Sequence, residues 1–322
     1  GLNIQNWLLG TQDLPAAIRD SINKRVGFRQ KRNYFMADEV RNEMRSKGYE
    51  IRDAGSETLV IPHSKVEVNE NREEISSAKE VNSLLELPDL YDFSVSILAH
   101  NNFSLVERCE KSLLENRQSS KIEIIIVENG STDTTRELVS ELKNEKVPIN
   151  ILHADHHLGE ATGRNVTIKQ SRGKYILILD VSAEVKGDIF TPLKSTLAIN
   201  GVELTGAMGL RSHDMRSFFD SPEQEVDAIS IYCFAFPRAI VPEIGLMNEK
   251  YRFYRHLDLD YSFRIKDKGY KVRVTPNLPI TIHSNLTWES MDENERLRKS
   301  RANYYIFLRK WHHRKDLLVE PV

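Results

Sequence analysis

Apolar and polar positions follow two different periods along this chain. Residues 14–61 carry apolar side chains at helical spacing in two stretches, followed by two short strand-like runs around a turn. This pattern predicts a small helical domain with a β tail over residues 1–61. Residues 62–90 then become rich in Glu, Asn and Ser, which predicts a linker with a short helix near residues 78–85.

From Phe93 onward, strand-like apolar runs alternate with segments of helical period. The predicted strands are Phe93–Leu98, Ile122–Val127, Ile149–His153 and Tyr175–Asp180, and the predicted helices are 105–114, 132–143 and 160–170. The alternation predicts an α/β domain with a mostly parallel central sheet over residues 91–322, with a last helix near residues 293–311. Because ligands of such sheets bind beyond the carboxyl ends of the strands, polar residues at those ends are candidates for a binding site.

Composition narrows the class of protein. The chain has 322 residues, 40% hydrophobic, and a formal net charge of −2, which argues against a general electrostatic attraction to nucleic acid. The two distant cysteines, Cys109 and Cys233, predict neither a disulfide framework nor a cysteine metal site. No apolar run approaches the ~20 residues of a membrane span, and the first residues lack the pattern of a signal peptide. We expect a cytoplasmic protein; a location at the inner face of a membrane and an upstream extension of the chain stay open.

Two acidic clusters carry the candidate chemistry. Asp180 ends a predicted strand beside Ser182 and Glu184, where a carboxylate can bind a ribose hydroxyl or a divalent ion, or can cap a helix. Asp258 and Asp260 begin a helical segment. A carboxylate there can act as a general base, or it can be present because the helix dipole stabilises it.

Glu128, a second acid at a strand end, and several histidines each have both a functional and a structural interpretation. Glu128 can accept hydrogen bonds from a uracil edge or a ribose, although ordinary strand–turn–helix connections use the same residue types. His283 follows a β-rich run and can bind a metal or a phosphate, or it can be structural. His153, His156 and His157 lack a metal-type spacing, and we interpret them as a solvated or substrate-lining loop.

Six segments, in this order, resemble the motifs of family-2 glycosyltransferases with the GT-A fold. They are Phe93–Asn102 for the opening strand, Glu128–Asp133 for the turn D-N-G-S-T-D, Gly159–Asn165 for G-x-A-x-A-R-N, Tyr175–Val185 for the acidic metal motif, Leu257–Arg264 for E-D-V-D-x-x-x-R, and His283 for the late histidine. The resemblance implies an inverting glycosyltransferase that moves a sugar from a nucleotide-sugar donor to a glycan, lipid or protein acceptor.

The resemblance also assigns roles to individual residues. The implied donor-site residues are Ala99, His100, Asn101, Glu128, Asn129, Gly130, Gly159, Arg164, Asn165 and Asp180. The implied site for Mg²⁺ or Mn²⁺ consists of Asp180, Ser182 and His283. The implied catalytic base is Asp258, supported by Asp260 and Arg264, and Arg211 and Asp214 are expected on the acceptor side.

Four departures from the family pattern bear on activity. His100 replaces a tyrosine that can stack on the nucleobase, and Glu128 replaces an aspartate. Ser182 replaces the second aspartate of the acidic motif, and Leu257 replaces the glutamate that precedes the catalytic base. Ser182 predicts weaker metal binding than in the family pattern, because a hydroxyl is a weaker ligand than a carboxylate. Ser182 and Leu257 also favour an alternative function, in which the protein binds a nucleotide sugar or a glycan without catalysis and serves regulation. Oligomeric state stays open.

The N-terminal segment carries a second resemblance. Residues 32–53 are similar to the C-terminal tail of cysteinyl-tRNA synthetases, with its A-D-x-I-R-x-x-L-x-x-x-G pattern. The resemblance implies RNA binding, in which the protein would act as an adaptor. The phosphate-binding cations would be Lys24, Arg25, Arg29, Lys31 and Arg32. The alternative is a helical appendage for protein docking or oligomerisation with a solvated cationic face.

Overall fold

The first stretch of helical spacing forms a single helix, and the strand-like runs after it form a hairpin. In the computed structural model, α1 spans Ala16–Gln30, and β1 (Tyr49–Ala54) pairs antiparallel with β2 (Glu57–Pro62). The structure describes residues 16–30, 36–37, 40, 44, 49–54, 57–62, 74–253, 255–283 and 292–320. Most of the second predicted helix therefore lies outside the described residues.

Contacts divide the chain into two units. The smaller comprises Gly1–Asn71 with Glu86–Leu90, and the larger comprises Arg72–Leu85 with Tyr91–Val322. In chain order the larger unit contains β3 Tyr91–Ala99, α2 Phe103–Asn116, β4 Ile122–Glu128, α3 Thr135–Ser140, β5 Ile149–His153, α4 Glu160–Gln170, β6 Gly173–Leu179, β7 Ala183–Val185, α5 Phe190–Leu197, β8 Val202–Gly206, β9 Gly209–Arg211, β10 Phe219–Ser221, β11 Ala228–Ile229, β12 Cys233–Pro237, α6 Val241–Ile244, α7 Leu257–Asp267, β13 Lys271–Val274, β14 Ile280–Ile282 and α8 Glu293–Trp311.

A seven-stranded sheet lies at the centre of the larger unit. Its strand order is β13-β8-β12-β6-β3-β4-β5, and all neighbours are parallel except β12, which is antiparallel to both β6 and β8. Two small sheets flank it: β9 pairs with β10 and β11, and β7 pairs with β14. The prediction of an α/β fold with a mostly parallel sheet is confirmed.

Helices cover both faces of the sheet, so a central strand is apolar on both sides. In β6, Leu177 and Leu179 enter one buried cluster, whereas Ile176 and Ile178 enter the cluster on the opposite face. This alternation follows from the two-residue period of a strand. It also explains why the sequence of β6 is continuously apolar and stops abruptly at Asp180.

Part of the predicted linker is packed into the larger unit. Ile75, Ala78 and Val81 are only 4%, 2% and 1% exposed. Ile75 forms a parallel bridge with Ala154, and Lys169 Nζ donates to the carbonyl of Ala78 at 2.6 Å. Residues 62–90 are thus not a linker throughout: three apolar side chains at a spacing of three anchor this stretch, although its composition is polar. The predicted short helix is a single 3₁₀ turn at Ala78–Glu80.

Among the helices that the structure describes, none is long and apolar enough to cross a membrane.

Candidate active site

The loops after β3 and β4 are joined at the carboxyl edge of the sheet. Ala99 and Glu128 are partners in the parallel register, which places the following residues side by side. The amide of Asn101 donates to Ser131 Oγ at 3.0 Å, and Asn101 Oδ1 accepts from the amide of Thr132 at 2.8 Å. These hydrogen bonds therefore hold the loops after β3 and β4, which carry predicted donor-site residues, against each other.

The side chain of Glu128 points into the protein and not toward the surface at which these two loops meet. Its side chain is fully buried, and Oε1 accepts from the amide of Ser131 at 2.6 Å. Its other oxygen lies 3.6 Å from Arg136 Nη1 and 3.6 Å from His153 Nδ1. Burial alone would raise the pKa of this carboxyl, but the contacts with His153, Ser131 and Arg136 lower it, so it stays ionised. The structure corrects the expected contact with uracil or ribose: Glu128 holds the loop that would make it.

Two histidines lie next to the loop after β4. His100 Nδ1 lies 3.1 Å from the carbonyl of Asn129, and its ring meets that of His157 edge-on at 4.5 Å. Burial, followed by the proximity of His100, lowers the pKa of His157 to about 4, which leaves this ring neutral at physiological pH. Gly130 has φ 67°, and a Cβ there would lie 2.3 Å from the carbonyl carbon of His156. Only glycine allows the histidine loop to approach this closely.

Asp180 is held by hydrogen bonds from the residue that departs from the family pattern. Its Oδ1 accepts from the amide of Ser182 at 2.9 Å and from Ser182 Oγ at 2.5 Å. Arg164 Nη2 lies 3.7 Å from the other oxygen, and Arg164 itself is buried beneath the edge, with Nε 3.9 Å from Glu160. Arg164 therefore orients Asp180 from below, where a bound nucleotide cannot reach it directly.

Gly159, just before α4, and Asn165, within it, have structural contacts. The Asn165 side chain bonds to both polar backbone atoms of Met247, donating at 2.9 Å and accepting at 2.8 Å. Asn165 is 1% exposed, so the structure corrects its expected role as a donor contact. Gly159 has φ 93°, and its missing Cβ leaves room for Arg252, whose Cα would be 3.1 Å away.

Asp258 lies half-buried in the first turn of α7. Its carboxylate accepts from the amides of Leu259 at 2.9 Å and Ile231 at 3.4 Å. Burial raises the pKa of Asp258 to about 6, although these hydrogen bonds and Arg255 oppose the shift. A carboxylate with a raised pKa, held by two amides, has the properties of a general base near neutral pH.

The raised pKa predicts an acidic limit on activity. If Asp258 is the catalytic base, as the family resemblance implies, kcat/KM of the wild-type protein is expected to fall about tenfold per pH unit below about pH 6, because the carboxylate is then protonated. Since the folded-state pKa lies above the ordinary 3.8, ionisation of Asp258 also costs folding stability as the pH rises through about 6. Kinetics across this range, with unfolding measured at each pH as a control, test the assignment. A constant kcat/KM down to pH 5 would exclude Asp258 as the base.

Comparison with known proteins decides the family. The model of "Glycosyl transferase family 2" matches residues 94–283, which is more than half of the chain. The chain belongs to this family.

Curated relatives match parts of the same region. Glycosyltransferase AglE of Haloferax volcanii is 29% identical over 114 residues, which cover 35% of this chain and 38% of AglE. Glycosyltransferase EpsJ of Bacillus subtilis, described as uncharacterized, is 28% identical over 137 residues, 42% of this chain and 39% of EpsJ. The Escherichia coli protein WfaP, a "UDP-Glc:alpha-D-GlcNAc-diphosphoundecaprenol beta-1,3-glucosyltransferase", is 26% identical over 191 residues, 56% of this chain and 73% of WfaP. The chain thus spans under half the length of AglE and EpsJ.

Solved structures share the fold. The structure described as "GalNAc-T7 with UDP, GalNAc and Mn2+" superposes with a TM-score of 0.58 at 16% identity, covering 69% of this chain and 48% of that chain. This likeness confirms the GT-A-type fold of the larger unit.

The family's metal position has an unusual set of side chains here. Pairing of β14 with β7 brings His283 beside the acidic motif, and its amide donates to the carbonyl of Ser182 at 2.9 Å. The His283 ring, however, bonds Glu184 at 2.6 Å. Within the described ranges, no three His, Cys, Asp or Glu side chains form a group that could hold a metal ion. As arranged, Asp180, Ser182 and His283 do not fit a divalent ion, because Ser182 bonds one oxygen of Asp180, Arg164 lies near the other, and His283 bonds Glu184.

Asp260 and Arg264 hold the first turns of α7, which carry Asp258, from two sides. Asp260 is 1% exposed, and its Oδ1 accepts from Trp311 Nε1 at 2.9 Å and from Lys310 Nζ at 3.3 Å. Arg264 donates to the carbonyl of Leu246 at 2.6 Å and also to that of Ile244. All of these contacts are made within the protein and hold α7 in place.

Tyr232, which the sequence analysis does not single out, connects the two acidic clusters. Its carbonyl accepts from the amide of Asp180 at 3.0 Å, while the amide of the preceding Ile231 donates to Asp258. Burial, then the charges of Asp180 and Asp258, raise the pKa of its phenol, which lies near both carboxylates. The position follows from the antiparallel insertion of β12, which the alternating pattern of the sequence does not reveal.

The two predicted acceptor-side residues have partners within the protein. Arg211 Nη2 forms an ion pair with Glu320 at 3.0 Å. Asp214 Oδ1 accepts from the amides of Arg216 and Ser217, both at 2.8 Å, and so shapes the loop after β9. Asp214 is therefore a loop-forming residue in this structure.

Proposed function

We propose that this protein is an inverting glycosyltransferase, which transfers a sugar from a nucleotide-sugar donor to an acceptor hydroxyl. The observation that carries the proposal is the backbone link Ile231–Tyr232. This link holds Asp180, on the donor side, and Asp258, the candidate base, to one short segment. A donor over the ends of β3, β4 and β6 would then present its sugar to an acceptor activated at Asp258.

The chemistry needs one base and a stabilised leaving group. Asp258 accepts the proton of the acceptor hydroxyl as its oxygen attacks the anomeric carbon, and the bond from that carbon to the diphosphate oxygen breaks on the opposite face. A single displacement of this kind inverts the anomeric configuration. The charge of Arg255 acts on Asp258 and Tyr232, and in this proposal it helps to offset negative charge at this centre.

The donor is proposed to be UDP- or dTDP-linked. The name of WfaP specifies UDP-Glc for that protein, and its similarity extends over 56% of this chain. Incubation of the purified chain with a panel of nucleotide sugars, followed by detection of released nucleoside diphosphate and glycosylated product, tests the proposal. Product with inverted configuration supports it. Nucleotide binding without turnover for any donor and acceptor would favour the non-catalytic interpretation, which Ser182 and Leu257 motivate.

Replacement of Ser182 by aspartate tests the metal position. Because Ser182 Oγ bonds Asp180 at 2.5 Å, the Ser182→Asp side chain would place two carboxylates in contact. We expect Mn²⁺ or Mg²⁺ to strengthen UDP binding to Ser182→Asp by about tenfold or more, since a divalent ion relieves the repulsion and gains a hard ligand. The neutral variant Ser182→Asn is the control. Equal metal effects on UDP binding in wild type and Ser182→Asp would show that Ser182 does not limit metal use.

For the smaller unit, RNA binding remains a hypothesis based on the resemblance of residues 32–53. Fewer of the predicted phosphate-binding cations are accessible in the structure, because Lys24 and Arg29 of α1 are exposed but Arg25 is buried. Lys31 and Arg32 lie outside the described residues. Protein docking stays the alternative for this unit.

A further inference from the structure

A surface cavity along α8 has a lining that none of the roles above explains. It has a volume of about 430 Å³ and is lined by Arg216, Tyr304, Tyr305, Leu308, Arg309 and His312. The lining combines two guanidinium groups and an imidazole with two phenol rings, and it contains no carboxylate. Guanidinium groups bind phosphate through paired N–H donors, and tyrosine rings offer an apolar face with a polar edge.

The cavity has a fixed position relative to Asp258. Tyr304 packs on His256 with ring centroids 5.6 Å apart, and His256 lies two residues before Asp258. Asn303 Nδ2 donates to the carbonyls of Phe253 and Arg255, both at 2.7 Å, which ties α8 to the segment leading into α7. One wall of the cavity is therefore joined to the turn that carries the base.

The opposite wall is anchored in the same apolar cluster. Arg216 extends from the loop between β9 and β10, which is held down by the fully buried Met215 and by Phe218. The ring of Phe218 meets those of Phe263 in α7 and Phe307 in α8 edge-on, at 5.9 and 5.5 Å. Both walls and the helix of the base thus share one core, so the cavity is preformed.

The arginines of the cavity are available to a ligand. Arg216 and Arg309 are exposed, and neither guanidinium lies within ion-pair distance of a carboxylate among the residues that the structure describes. The pKa of the neighbouring Asp214 is lowered by the amides of Ser217 and Arg216 and, to a smaller extent, by the charge of Arg216. Other exposed arginines of α8, such as Arg301, lie outside the cavity. Two exposed guanidinium groups that line the same aromatic cavity can form a site for an anionic group attached to a sugar.

We propose that this cavity is an acceptor subsite for a phosphate-bearing sugar, with the phosphate on Arg216 and Arg309 and the sugar directed along Tyr304 toward Asp258. The inference rests on the proposed function and specifies its acceptor class. The phosphate can belong to a soluble sugar phosphate or to a lipid-linked sugar, and the cavity recognises the shared chemistry.

The experiment measures binding of hexose 1-phosphates and the matching methyl hexosides to the full chain by calorimetry, with UDP present to fill the donor pocket. Wild type is expected to prefer the phosphates. The double variant Arg216→Gln/Arg309→Gln is expected to weaken their binding by about tenfold or more. The control Arg298→Gln/Arg301→Gln removes two exposed arginines of α8 outside the cavity and is expected to leave this binding unchanged.

Each outcome has a defined meaning. Equal losses in both double variants would show a diffuse cationic face, and equal binding of phosphates and methyl hexosides would show no phosphate site; either overturns the proposal. Binding to phosphatidylglycerol vesicles that depends equally on all four arginines would show a membrane-contact surface and also overturns it. If the losses are specific to the cavity, comparison of soluble with lipid-linked sugar phosphates identifies the source. Failure of UDP to bind would count against the proposed function itself, so the two failures are distinguishable.

Discussion

The variant Asp258→Asn is expected to lose turnover by about 10²- to 10⁴-fold while it retains its fold and its affinity for nucleotide. The substitution is nearly isosteric, and the Asn side-chain oxygen can still accept the shorter hydrogen bond, from the amide of Leu259, while the longer bond from the amide of Ile231 to the other oxygen is lost. What it removes is the basic carboxylate, whose pKa is raised to about 6 by burial. Turnover is measured with the most active donor and acceptor pair, and UDP affinity is measured on the same preparation.

Asp260→Asn is the matched control, because it makes the same change two residues along the helix. Asp260 bonds Trp311 and Lys310 in the interior, so its neutralisation is expected to lower the free energy of unfolding by about 1–3 kcal/mol and to affect turnover much less. If Asp258→Asn retained full activity, or if both variants lost turnover equally, Asp258 would not be the base.

Removal of residues before Leu87 is expected to destabilise the larger unit severely, whereas removal of residues before Arg72 is expected to leave it folded. The longer deletion takes away Ile75, Ala78 and Val81, all of which are buried. Burial of two branched side chains and one alanine contributes on the order of 5 kcal/mol, which is comparable to the whole stability of many domains. It also removes the carbonyls of Leu84 and Leu85, which accept from Arg238 at 3.0 and 3.1 Å.

Chaotrope unfolding and UDP binding of the two truncated proteins provide the test. Since both deletions remove the smaller unit's helix and hairpin, their difference isolates the contribution of residues 72–86. Equal stability of the two proteins would show that this stretch is a linker after all. Loss of nucleotide binding in the shorter deletion would show that the smaller unit supports the donor site.

The main features of the fold can be predicted from the sequence because the alternation of periods is strong. Four apolar runs of strand length, each followed by a polar turn, specify the parallel half of the sheet and the edge at which ligands bind. The antiparallel strand β12 is not predicted, since Cys233–Pro237 is as apolar as the parallel strands of the sheet and the direction of pairing leaves no mark on composition. The packing of Ile75, Ala78 and Val81 is also missed, because three apolar residues in a polar stretch are too few to change its average character.

The candidate site is predicted at the level of segments and less well at the level of side chains. Asp180 and Asp258 lie where the motifs imply, at a strand end and in a first helical turn. Glu128 and Asn165 turn into the protein instead, toward His153 and Met247, which are brought near by tertiary structure. A motif specifies which segment reaches the site, but the direction of each polar side chain depends on partners that are distant in the sequence.

Titration of the protein with UDP in a calorimeter tests the central claim most directly, because every proposed role depends on a nucleotide pocket at the ends of β3, β4 and β6. The account predicts binding of one UDP per chain, weakened about tenfold or more by Asp180→Ala. Glu145→Ala, which removes an exposed carboxylate before β5 at the opposite edge of the sheet, should leave it unchanged. Absence of binding for UDP and every other nucleoside diphosphate, with and without Mn²⁺ or Mg²⁺, would contradict the account.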